Sequence, residues 1–384
     1  MRKLTLLVSA SVMLLAGCST LSSLNPFASK TPSSNAPVPL TEFNQTMAVR
    51  TAWSLSVGSA GAYTFSPVIV SGDVFAAAAD GSITRVDVAT GRTIWRISAD
   101  STLTAGVGSD GNTVAVAGAK GAILAFDGNG KQRWKAQASS EILSSPVVAQ
   151  GMVIVRSADN KTTAYDAETG TRRWVTQHTA PALILRGAPG ILVAGPSAFV
   201  AMPGGKLASL ALGNGGIRWE ATVGAPRGTT ELERIADTAG MPILLGNEIC
   251  AVAYHGRISC FDAGSGATRW AKAFSSDVGL GADERFIYGA DENGAVAAFA
   301  RDSGASVWRN TQLKNRRLSA PLAVGRAVAV GDYQGYIHFL SSEDGALLAR
   351  VATDGSPVVG TPLLAGSLAI FQTKSGTLVA LATN

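Results

Sequence analysis

The chain has 384 residues, of which 46% are hydrophobic, 15% charged and 43 are glycine. Charge well below the usual quarter, with few prolines, argues against disorder, collagen and coiled coil and for a chain that buries most of its length. The formal charge of +5 falls by two if the leading Arg2 and Lys3 are removed. It lacks the basic runs with interleaved aromatics that a nucleic-acid partner requires.

Arg2 and Lys3 precede an apolar run from Leu4 to Gly17, too short to span a bilayer but suited to the core of a secretory signal. The run ends Leu15-Ala16-Gly17-Cys18, which resembles the bacterial lipobox. That resemblance implies removal of residues 1–17 and acylation of Cys18, and Ser19 in place of Asp implies sorting to the outer membrane. Residues 18–42 are Ser- and Pro-rich without apolar periodicity and read as a flexible tether.

Residues 43–384 carry one unit repeated eight times. The phrase Asp87-Val-Ala-Thr-Gly91-Arg-Thr-Ile-Trp95 returns with Gly130 and Trp134, Gly170 and Trp174, Gly215 and Trp219, Gly266 and Trp270, and Gly304 and Trp308. A seventh copy at Asp344-Gly345 has Ala349 where Trp is expected. Turn residues Gly81, Gly121, Asn160, Gly205, Gly256, Gly294, Gly335 and Gly376 recur at about the 40–45 residues expected of propeller blades. Several units open on a strand led by proline, at Pro67, Pro146, Pro242, Pro321 and Pro362. Strands such as Val114-Ala-Val-Ala-Gly118 are continuously apolar, as strands covered on both faces are, and their small side chains predict an innermost position near a central axis. Trp53 is a Trp strand with no unit before it, and residues 376–382 form a third strand with no Trp strand after it. Pairing of the Trp53 segment with Leu378–Leu381 would therefore complete the eighth blade. The fold expected is all-β: one eight-bladed propeller of four-stranded antiparallel blades, closed by its N- and C-terminal strands.

Little in the chain suggests catalysis. The Trp phrase resembles the docking repeat of pyrroloquinoline-quinone dehydrogenases, but no two cysteines adjoin and no loop is dense in Asp, Asn and Glu, as a calcium–quinone site requires. No cofactor or metal is expected, and a quinoprotein is the minor enzyme reading. The histidines fall in three different repeats and read as a surface loop (His178), a hairpin tip (His255) and a strand (His338). The glycine pairs in 203–206 and 213–216 lack Walker spacing and sit where turns are due. Cys250 and Cys260 flank the turn at His255 symmetrically, leaving a cross-strand disulfide and a pair of buried thiols as equal alternatives.

Two repeats are long, with 45 residues before Gly205 and 51 before Gly256, and insertions in propellers map to loops where binding lives. The extra residues surround Leu183-Ile184-Leu185-Arg186-Gly187 and Thr230-Glu231-Leu232-Glu233-Arg234-Ile235-Ala236-Asp237. If the first segment is extended, Leu183 and Leu185 share a face. With the lipobox and the eight Trp-type repeats, these two loops resemble the BamB family of lipoproteins of the outer-membrane β-barrel assembly machine. The resemblance spans essentially the whole chain. It implies a non-catalytic, lipid-anchored periplasmic scaffold that binds the POTRA domains of BamA, works beside the other lipoproteins of the machine and touches, in one version, unfolded barrel clients. It also implies that Leu183, Leu185, Arg186 and Asp237 contact the partner. The family places a second Asp two residues on, where this chain has Ala239. A propeller adaptor of another envelope complex is the alternative binding role.

Overall fold

In the computed structural model, residues 35–383 are described, apart from 180, 188 and 227. Residues 1–17, Cys18 and most of the tether lie outside the described residues. The described chain builds eight four-stranded antiparallel sheets, so the architecture is an eight-bladed β-propeller. Blade 1 comprises Val68–Val70, Asp73–Ala77, Ser82–Asp87 and Thr93–Ser98, and six further blades repeat that order along the chain. Blade 8 joins Leu363–Ala365, Leu368–Gln372 and Thr377–Thr383 to Val49–Ser56. Trp53 faces Ala380 and Leu55 faces Leu378 across that seam. The two ends of the propeller thus close a single ring without a free sheet edge between them.

First strands of successive blades contact one another all the way round, and the last meets the first. They, not the Ala-rich strands, line the axis. The Ala-rich segments are second and third strands, such as Thr113–Gly118, Ala122–Asp127 and Ala327–Gly331, fully buried for nearly their whole length. Their small side chains serve close face-to-face packing of blade on blade. Proline suits the start of a first strand because no ladder N–H is needed there. Pro242 lies instead within Thr238–Leu245, at a break in register between Ala239 and Ile243.

Each fourth strand is bulged at the residue just before the Trp position; Trp174 pairs with Ala164 and Arg172 with Tyr165, so Arg173 is skipped. The same shift occurs beside Trp53, Trp95, Trp134, Trp219, Trp270 and Trp308. A bulge bends the strand and re-aims the following side chain, here toward the next blade. Each indole Nε1 then donates to a carbonyl of that blade: Trp53 to Val88, Trp95 to Gly128, Trp134 to Ala167, Trp174 to Leu212, Trp219 to Ala263, Trp270 to Arg301 and Trp308 to Ser342, at 2.7–3.1 Å. Beneath the ring lies the turn glycine of the next blade. A Cβ on Gly170 would come 2.6 Å from Trp134, so only glycine admits the ring.

The seam between blades 7 and 8 has Ala349 in place of Trp, and an N-terminal strap covers it. The amides of Thr46 and Met47 donate to Leu348 O at 2.9 and 3.3 Å, and Met47 is buried in one cluster with Ala349, Phe371 and Leu381. Further up the strap, Arg316 donates to Val38 O at 3.0 Å, Arg350 donates to Thr41 O at 3.2 Å, and Phe43 lies under the Arg350 guanidinium. The chain is therefore fixed from Val38, inside the stretch that the sequence assigns to a tether ending at residue 42. Its hydrogen-bond partners come from blade 7 and the connection leading into it, far along the sequence, which is why local composition does not reveal it.

Candidate partner-binding surface

In a blade of this topology, the connections between blades share one face of the ring with the hairpins between second and third strands. Residues 178–190 connect blades 3 and 4, and 223–237 connect blades 4 and 5, so both long loops lie on that face. It opens onto a cavity of about 670 Å3 at the axis, lined in part by Ile184, Leu185, Arg186, Asp237 and Ala239.

Leu183 is 44% exposed and Ile184 37%, whereas Leu185 is half-buried. The segment is bent, not extended. Leu183 stands exposed outside the cavity, whereas Ile184 and Leu185 both line it. The cause is Asp237. Its Oδ2 accepts from the Leu185 N–H and its Oδ1 from the Gly204 N–H at 2.8 Å, drawing the backbone inward at Leu185. Asp237 itself is buried, so this carboxylate anchors the loop from below and does not stand on the surface. The same bond occupies the 203–206 glycine turn.

Arg186 is exposed, and its guanidinium donates to both oxygens of Glu141 at 2.9 and 3.0 Å. Glu141 belongs to the connection between blades 2 and 3, so the pair ties two interblade loops together. The second long loop is braced internally. Glu233 accepts from the Thr229 and Thr230 amides at 2.8 and 3.1 Å, and its own N–H donates to Thr230 Oγ1 at 3.2 Å. These bonds hold the Glu233 carboxyl below its usual range and form a reciprocal cap that leaves Leu232 70% exposed. Glu141, Ile184 and Leu232 extend the surface beyond the residues singled out in the sequence; only a charged or apolar residue in a polar loop marks them there.

The other sequence candidates lie elsewhere. His255 is at a hairpin tip with a positive φ of 49°, taking the conformation expected of Gly256. His338 is buried in a third strand. His178, expected in a surface loop, is buried 4.0 Å from Glu220; burial keeps its pKa below the usual value, partly offset by Glu220. Cys250 and Cys260 are directly opposed on adjacent strands, Cα atoms 4.1 Å apart, and are joined by a disulfide. Ala239 leaves the cavity rim beside Asp237 uncharged.

A family described as "Outer membrane protein assembly factor BamB" matches residues 79–310 and 292–384. The chain belongs to the BamB family. A protein of that name from Bordetella pertussis is 46% identical over 349 residues, covering 91% of this chain and 90% of the relative. One from Burkholderia pseudomallei is 42% identical over 369 residues, covering 96% and 94%. The crystal structure of BamB from Moraxella catarrhalis superposes with a TM-score of 0.79 at 23% identity, over 87% of this chain and all of that one. The Bordetella and Burkholderia relatives are assembly factors by name, and the propeller here shares the fold of the Moraxella structure.

Proposed function

We propose that this BamB-family chain is a non-catalytic scaffold of outer-membrane β-barrel assembly, holding the POTRA domains of BamA against the face that carries residues 183–187. The observation behind this reading is the pairing of exposed Leu183 and Ile184 with an Arg186 already oriented by Glu141. Apolar anchors excluding water around a charged contact are the make-up of an interface hot spot. Asp237 acts from beneath as a positioning residue. Acylation of Cys18 would tether the propeller to the periplasmic side of the outer membrane. Several buried acyl chains meet the requirement for stable anchoring, and no helix among the described residues is long and apolar enough to cross a bilayer. The other lipoproteins of the machine and unfolded barrel clients are further partners in this reading.

The test is recovery of BamA from detergent-solubilised envelopes by the tagged full chain. A Leu183→Ala/Arg186→Ala variant with unchanged thermal stability should lose most of the BamA that wild type retains. Equal recovery would remove the loop from the interface, and recovery of a cell-wall enzyme in place of BamA would favour the envelope-adaptor role.

A further inference from the structure

The axial cavity beside the 183–187 loop holds a cation that, among the described residues, no carboxylate touches. Arg156 ends the second strand of blade 3, Met152–Arg156, and lines the cavity. Its Nε is buried and has no acceptor among the described residues. Among the described residues, the one bond its guanidinium makes to a side chain is a long one, 3.4 Å to Asn160 Oδ1. Asp237 is the acid that acts on it electrostatically, but both Asp237 oxygens are taken by the Leu185 and Gly204 amides. Burial pushes the guanidinium down to about 10, with Asp237 opposing that fall, so Arg156 remains charged at neutral pH. A buried guanidinium nitrogen without an acceptor calls for an explanation.

The other charges of the cavity are committed or lie elsewhere. Arg186 is held by Glu141 and Asp291 by Arg309. Asp277 and Glu292 are exposed and belong to the blade 5–6 connection and the blade 6 hairpin, nearly across the ring from blade 3. Arg317, from the connection between blades 6 and 7, also lines the cavity but is exposed, so Arg156 is the lining cation with a buried, acceptor-free nitrogen among the described residues.

We propose that Arg156 is the anion-recognition point of this face: an acidic side chain of the protein docked on residues 183–187 enters the cavity and pairs with the Arg156 guanidinium. This rests on the docking role given to that loop. It specifies the chemistry of the partner, an acidic residue on a protruding turn that enters the cavity, which Leu185 and Thr238 also line. A buried guanidinium–carboxylate bond adds specificity as well as affinity, because mismatched partners leave the charge unpaired.

The experiment is calorimetric titration of the full lipidated chain in detergent with BamA, using wild type, Arg156→Gln, Arg156→Lys and Arg186→Ala. Arg156→Gln should melt within two degrees of wild type yet bind at least tenfold more weakly, with a shallower salt dependence, and Arg156→Lys should recover part of the loss. Binding by Arg156→Gln within twofold of wild type, while Arg186→Ala is impaired, overturns the inference and leaves the docking loop in place. Failure of wild type to bind removes the docking role itself. An Arg156→Gln/Asp237→Asn double variant no weaker than Asp237→Asn alone would make Arg156 a support for Asp237 and overturn the proposal; additive losses support direct contact. Displacement of BamA by millimolar acetate, with a shift of the Arg156 Nε–H resonance, would assign the site to a free small anion and also overturn it.

Discussion

Gly170 and Gly151 have the same backbone torsion, φ +72°, and opposite surroundings. A Cβ at Gly170 meets the Trp134 ring, whereas at Gly151 nothing lies within 4 Å. Alanine at Gly151 should cost only the left-handed penalty of about 1–2 kcal/mol. Alanine at Gly170 should cost that plus the displacement of an indole from between two blades, a further ~1–3 kcal/mol. Urea melts of the two variants would measure the difference. Equal costs would mean that the turn, and not the stacked ring, selects glycine. Asp237 teaches the converse lesson. The sequence marks it as an acid in a binding loop, and only the folded loop shows that it faces inward. Residue type is the same for a carboxylate that caps two amides and one that meets a partner. Burial decides between them, and burial depends on where a long connection closes.

At the scale of the element, the strap over blades 7 and 8 rests on a buried polar network. Arg316 Nε donates to Asp332 Oδ2 at 2.7 Å, and His338 Nε2 lies 2.9 Å from the same oxygen. Arg350 Nε donates to His338 Nδ1 at 3.3 Å. Arginine is only a donor, so Nδ1 is the acceptor and the proton sits on Nε2, facing Asp332. Burial lowers the His338 pKa, with Asp332 opposing. For Asp332, burial acts upward, but the His338 bond and charge, Arg316 and the Tyr336 amide carry it below its usual value. A histidine depressed below the 6.5 of a free imidazole gives stability that is full above that pH and lost as pH falls toward the folded value. His178 adds to the loss with the same sign, and Asp332 adds its own only below its unfolded value of 3.8. The melting temperature should therefore hold level above pH 7 and fall below about 6.5. Because a second proton on His338 expels Arg350, amides 38–47 should exchange faster there before the blades do. Replacement His338→Gln should flatten the acid slope, and an unchanged slope would exclude this network as its source. None of this was legible in residues 38–43, whose partners lie at the far end of the chain.

The whole molecule is where the sequence speaks most clearly. Every blade must solve the same problem, a tight turn followed by a large ring on the outer strand, so the solution repeats and can be counted. The closing pair was legible for the same reason: one unit lacks a Trp strand and one Trp strand lacks a unit. The bulge before each Trp was not, because it is a difference in strand length that appears only in register. Removing Val49–Ser56 should leave blade 8 three-stranded, take the Trp53 clasp from blade 1 and expose the Thr377–Thr383 edge. Wild type should unfold in one transition by calorimetry. The truncated chain should show an earlier, separate transition for the neighbouring blades and a tendency to associate through the open edge. A single unshifted transition would mean that the seam contributes nothing to cooperativity.

Closure also imposes an order in time. The strand that completes blade 8 is synthesised first, while the three strands awaiting it come last. The Trp53 strand must remain unpaired until nearly the entire polypeptide has arrived, so a prematurely stopped chain keeps both a vacant sheet edge and an unburied indole. Those are the features that quality-control proteases recognise, and the ring thereby certifies its own completeness before the 183–187 surface is presented in its finished form.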